Sequence, residues 1–122
     1  MNIEAFRIYC LSKAGTEECL PFDKHTLVFK VMGKMFALTS LNSDSFTVNL
    51  KCDPNKAIEL REVHPQIIPG FHMNKKHWNT VSFEDGLLNS MLKELIDHSY
   101  EMVVKGLTKK LKETLIKMEN QF

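Results

Sequence analysis

The chain has 122 residues, 43% apolar and 25% charged, with sixteen basic against fifteen acidic side chains and a formal charge of +1. A chain of that length makes one domain, 1–122, able to bury roughly two-thirds of its unfolded surface around a single core. The apolar content excludes a disordered chain, and near-neutrality excludes the global positive field of strongly basic nucleic-acid binders.

Asn2 reads as the cap of a first helix, with Ile3, Phe6, Cys10 and Leu11 on one face and Ala14-Gly15 as its stop. From Thr26 the period changes. Thr26 to Val31 and Lys34 to Ser40 are rich in β-branched and aromatic residues, and Met32-Gly33 between them reads as a tight hairpin. Asn42-Ser43-Asp44 turns the chain into Phe46 to Lys51, where Phe46, Val48 and Leu50 alternate with polar residues, so three strands form an antiparallel meander.

Asp53-Pro54 is a helix start, because Asp accepts from free backbone amides and Pro at the first helical position loses no needed donor. That helix runs to about Val63. Pro65 disfavours helix at His64, and Ile67-Ile68-Pro69-Gly70 reads as an irregular or edge segment. Trp78 to Phe83 is a further strand. A helix from about Ser90 to Lys105 carries Leu92, Leu95, Met102 and Val103 at helical spacing, and a last one runs from Thr108 to about Glu119. Together these elements predict an α+β fold, an antiparallel sheet with helices packed on one face.

No catalytic motif is visible. Asp97-His98-Ser99 has the residue types of a triad, but neighbours on a helix point in different directions. Gly33-Lys34 lacks the surrounding residues of a phosphate loop. His72 and His77 match no zinc spacing, and Cys10, Cys19 and Cys52 never form a C-x-x-C pair, so no metal, cofactor or disulfide is expected and a reducing cytoplasm fits best. The first residues lack signal-peptide order and no apolar run reaches the roughly 20 residues of a membrane span, so neither export nor insertion is expected.

The chemically richest stretch is Phe71 to Thr80, inside a segment with no acid between Glu62 and Glu84. Lys75 and Lys76 offer charge to phosphate, Asn74 and His77 offer hydrogen bonds, and Trp78 offers a face for stacking. The same residues also read as a core tryptophan, a turn-capping asparagine and solvated lysines. The C-terminal lysines 105, 109, 110, 112 and 117 alternate with apolar residues, as on an ordinary surface helix.

Over nearly its whole length the sequence resembles the MmcQ/YjbR family of small bacterial proteins. The resemblance is carried by Tyr9 to Ser12, Leu20 to Phe22, Phe29 to Ala37, Leu50 to Pro54 and above all Pro69 to Val81. It implies a two-layer sandwich similar to CyaY, the bacterial frataxin, and a DNA-binding role without catalysis. Position by position it marks Lys34, Lys51, Pro69, Asn74, Lys75, His77 and Trp78, with Lys34 and Lys51 expected to project from one sheet surface. Frataxin-like iron binding is not carried over, because Glu4, Glu17, Glu18 and Asp23 are dispersed. The expected molecule is a monomer or weak homodimer that binds DNA with low sequence specificity; the alternative is a protein- or small-ligand-binding domain that uses segment 69–80 as a pocket.

Overall fold

The computed structural model describes residues 1–120. In chain order the elements are α1 (Ile3–Leu11), β1 (Thr16–Cys19), β2 (Thr26–Val31), β3 (Lys34–Ser40), β4 (Thr47–Lys51), α2 (Pro54–Val63), β5 (Ile67–Pro69), β6 (Trp78–Ser82), α3 (Asn89–Lys105) and α4 (Lys109–Glu119). The strands form one antiparallel sheet in the order β1-β2-β3-β4-β6-β5, which is the predicted α+β class with one strand more than expected. That additional strand is β1, which follows the expected helix stop at Ala14-Gly15 in a stretch where no element was expected. Thr-Glu-Glu-Cys is short and acidic, a poor strand former that survives at the edge because it pairs on one side only and its charges discourage further pairing.

Local signals set the element ends. The Asn2 side chain accepts from Ala5 N at 2.8 Å to start α1, and one Asp53 carboxylate oxygen accepts from Asn55 N and Lys56 N, both at 3.1 Å, to start α2. The Met32-Gly33 turn places both residues at positive φ, 50° and 83°. A register shift between Phe29 and Lys30 marks a bulge at Phe36 of β3, which lets Phe36 and Ala37 both join the core.

The main core lies between the helices and one sheet face. Phe6 of α1 meets Phe29 and Phe83 edge-on, with ring centroids 5.3 and 5.5 Å apart, and Leu92, Ile96 and Val103 of α3 cover Phe36, Val48 and Leu50. Fully buried Ser99 ties α3 to the sheet: its hydroxyl donates to Phe36 O at 2.5 Å and accepts from Lys51 N at 2.8 Å. The other sheet face has no helix over it. There Val28, Leu38 and Trp78 form a second, smaller cluster, flanked by Cys19, Met35 and Met73.

Candidate cleft on the helix-free sheet face

Alternation along the strands decides what stands on this face. Register partners share a side, so Asn49 stands beside Leu38 and Thr80, and Lys51 beside Trp78. The segment between β5 and β6 folds back over part of this surface as a wall. Between that wall and the loop before β2 lies a cleft of about 360 Å³, lined by Phe22, Thr26, Met35, Leu38, Ser40, Thr47, Asn49 and Phe71 to Met73. Its lining contains no Asp, Glu, Lys or Arg.

The wall is fixed by hydrogen bonds from three directions. From the sheet, Thr80 Oγ1 accepts from Phe71 N at 2.9 Å and donates to Asn49 Oδ1 at 2.5 Å, while Asn49 Nδ2 donates to Phe71 O at 3.2 Å. Within the segment, Asn74 Oδ1 accepts from Lys76 N at 2.9 Å and His77 N at 3.3 Å, and Lys75 Nζ donates to Gly70 O at 3.0 Å. From α2, Arg61 Nε donates to Asn79 Oδ1 at 2.7 Å and Nη2 reaches Trp78 O at 3.3 Å as well as Lys75 O. Gly70 sits so close to Trp78 that an added Cβ would lie 2.8 Å from the Trp78 Cβ.

His72 is held at φ 58°, a left-handed conformation that a non-glycine residue rarely adopts unless its surroundings impose it. Its ring packs on Phe71, centroids 4.0 Å apart. Phe71 is nonetheless 63% exposed and Phe22 64% exposed, so both rings stand at the cleft with most of their surface in water.

The residues singled out in the sequence fall into three groups. Trp78 is 9% exposed and packs on Val28 and Leu38, so it builds the floor of this face and offers no open ring for stacking. Asn74 and Lys75 shape the wall, and His77 donates its backbone amide to Asn74 and accepts from Cys52 N at 2.8 Å. Lys51 and exposed Lys76 remain as cations on or beside this face. Lys34 does not share it. Lys34 pairs with Val31, whose side chain is in the helix-side core, so Lys34 and Lys51 stand on opposite sides of the sheet, which corrects the expected common surface.

Sequence reasoning passed over Phe22, Asn49 and Arg61 as site builders. Alternation in β4 was the available signal for Asn49, since it puts Thr47, Asn49 and Lys51 on one side. Nothing local signals Phe22 or Arg61, because their partners lie far along the chain.

Asp97, His98 and Ser99 confirm the geometric objection to a triad. Asp97 accepts from the Tyr9 hydroxyl at 2.6 Å and from Lys13 Nζ at 2.5 Å, while His98 Nε2 accepts from Asp53 N at 3.1 Å, and Ser99 is occupied in the sheet. Burial, with Lys56 nearby, pushes His98 below its ordinary value. Among the described residues no three His, Cys, Asp or Glu side chains gather as a metal site, and no helix is long and apolar enough to cross a membrane.

The YjbR family model matches residues 11–102, spanning the sheet, its wall and most of α3. The chain belongs to the YjbR family. Among relatives, the uncharacterized Escherichia coli O157:H7 protein YbdF is 42% identical over 94 residues, 77% of each chain. The uncharacterized YjbR of Escherichia coli K12 is 31% identical over 118 residues, 97% of this chain and 100% of its own. A crystal structure of a Deinococcus radiodurans protein with a DUF419 domain matches with TM-score 0.86 and 42% identity, covering 93% of this chain and 87% of that one. A Pseudomonas syringae crystal structure matches with TM-score 0.72 and 30% identity, over 84% and 98% respectively. The fold is therefore shared with both of these solved structures.

Proposed function

We propose that this YjbR-family chain is a binding module without catalysis that takes a small ligand, or a side chain of a partner, in the cleft on its helix-free sheet face. The observation that carries the reading is the pairing of a lining without Asp, Glu, Lys or Arg with two exposed phenylalanines, Phe22 and Phe71, at a wall whose backbone is already fixed. Ligand sites are concave and mostly apolar, with a few placed polar groups, and this cleft has Asn49 and the hydroxyl residues Thr26, Ser40 and Thr47 in those positions. The absence of catalysis is supported by the separate engagements of Asp97, His98 and Ser99. The three free cysteines suit a reducing cytoplasm.

A second reading, DNA binding with little sequence preference, is favoured by Lys30 and Lys51 on the same open face and by exposed Lys76 beside it. Lysines position phosphates without reading bases. It is the weaker reading because Lys34 faces the other way, Lys75 is bonded to Gly70 O, and Glu17 is the register partner of Lys30.

Titrating ¹⁵N-labelled protein with a fragment library and, separately, with a DNA duplex tests both readings. The cleft reading expects shifts centred on Asn49 and Phe71 to Met73 that persist as salt rises. Shifts confined to the lysines, with log affinity falling by about 0.9 per phosphate contact against log salt, would instead establish the DNA reading.

A further inference from the structure

We infer that the occupant of this cleft is an uncharged, flat heteroaromatic ring with a hydrogen-bonding edge. The inference rests on the cleft reading above and names its ligand class.

Charge is argued from the lining. It contains no Asp, Glu, Lys or Arg, and its one ionisable side chain is His72, while Lys30 and Lys51 stand on the same face outside it, so an ionic ligand would leave water without a fixed charge of opposite sign in the cleft. Size is settled by the volume: about 360 Å³ is near the low end of the roughly 300–1,000 Å³ of ligand pockets, which suits one or two fused rings better than an extended chain.

Flatness follows from the side chains. Phe22 and Phe71 are largely uncovered, and an aromatic ligand gains offset or edge-on contacts with such rings beyond the area it buries. Met35 and Met73 complete the apolar part, and thioether sulfurs add favourable contacts with aromatic rings while adapting to their outline. A saturated ligand of the same volume buries similar area but forgoes both gains.

The polar edge is required by Asn49. Its Oδ1 accepts from Thr80, and one of its two amide hydrogens goes to Phe71 O, which leaves the second to donate to a carbonyl or ring nitrogen. Because the first two bonds hold the amide in place, that donor is oriented before any ligand arrives.

The test uses the full chain and three probes in calorimetry and ¹H–¹⁵N titrations: quinazolin-4-one, its fully saturated lactam counterpart, and naphthalene-2-carboxylate. Saturable binding of quinazolin-4-one with shifts at Asn49 and Phe71 to Met73 is expected, with the other two at least fivefold weaker. Phe22→Ala and Phe71→Ala remove exposed rings, and each should weaken quinazolin-4-one roughly three- to tenfold while leaving the melting curve in place. If the saturated lactam binds in the cleft as tightly as quinazolin-4-one, or the carboxylate does, the ligand class is wrong although the cleft reading stands. Unchanged affinity in both phenylalanine variants also overturns the ligand class. If none of the three shifts any cleft residue, the inference falls with the reading beneath it.

Discussion

Trp78 and Gly70 are coupled. The indole packs with Val28 and Leu38, and the chain at position 70 passes close to Trp78, where Gly70 N donates to Trp78 O at 2.9 Å. A methyl there would meet the Trp78 Cβ at 2.8 Å, the Trp78 carbonyl at 2.9 Å and the Met73 Cβ at 3.1 Å, all three of them atoms that side-chain rotation cannot swing aside. Gly70→Ala is therefore expected to cost about 1–3 kcal/mol, the usual range for overpacking. Gly106→Ala, whose new methyl would meet nothing nearer than 3.6 Å, should be close to neutral in the same urea melts. Equal midpoints for the two variants would show that the 69–78 backbone relaxes freely. Trp78→Ala removes the largest side chain of the smaller core and is expected to cost roughly 3–5 kcal/mol; a midpoint within error of wild type would mean that the ring is dispensable to the fold.

At the scale of elements, α2 acts as a strut. It buries Ala57 and points Arg61 across to β6 and the cleft wall, so one guanidinium holds the Asn79 side chain and two backbone carbonyls. Asn79 is 2% exposed and has no ready access to water if that partner goes. Arg61→Met keeps much of the packing and removes the donors, so it should cost about 1–3 kcal/mol, the penalty of an unsatisfied buried polar group. Amide exchange should speed up at 70–78 more than in α3; uniform acceleration across the molecule would contradict the strut.

That strut also marks the limit of what the sequence reveals. Asp53-Pro54, the Thr26–Val31 and Lys34–Ser40 pair and the helix ending at Lys105 were legible because each is set by neighbours a few residues away. Thr16–Cys19 was not, since an edge strand owes its conformation to β2 and its own residues favour no strand. The cleft was half legible: the 69–80 segment stood out by composition, while Arg61 and Phe22 join it through contacts that no local pattern encodes. Lys34 was misplaced for a related reason, because the side it faces depends on register across the hairpin.

For the whole molecule, the ionisable groups predict a stability plateau bounded on both sides. Toward acid, His98 is held below its ordinary 6.5, first by burial and then by Lys56, with Glu101 and Asp53 opposing, and its Nε2 must be unprotonated to accept from Asp53 N. A depressed folded pKa means that the unfolded chain binds the proton first, so this contribution is whole above 6.5 and is lost as pH falls through the folded value. Carboxylates extend the loss at lower pH. Burial would raise Asp97, but the bonds from Lys13 and Tyr9 leave it below the usual range, and Arg7 lowers Glu18. Toward alkali the sign reverses: burial pushes Cys10 up to about 12 and Cys52 to about 11, from 9.0, and burial with the Asp97 bond pushes Tyr9 to about 12. Groups raised in the folded state stabilise it fully below their unfolded values, so stability should begin to fall as pH approaches 9.0, where the unfolded chain loses the thiol protons first. Urea midpoints are thus expected to be level between about pH 7 and 8.5 and to decline outside that window. His98→Gln isolates the first acidic step, because an amide oxygen accepts from Asp53 N without titrating. It should flatten the decline from pH 6.5 to 5 and leave the alkaline side unchanged. A decline in that interval as steep as in wild type would mean that the His98 to Asp53 bond does not set the acid limit.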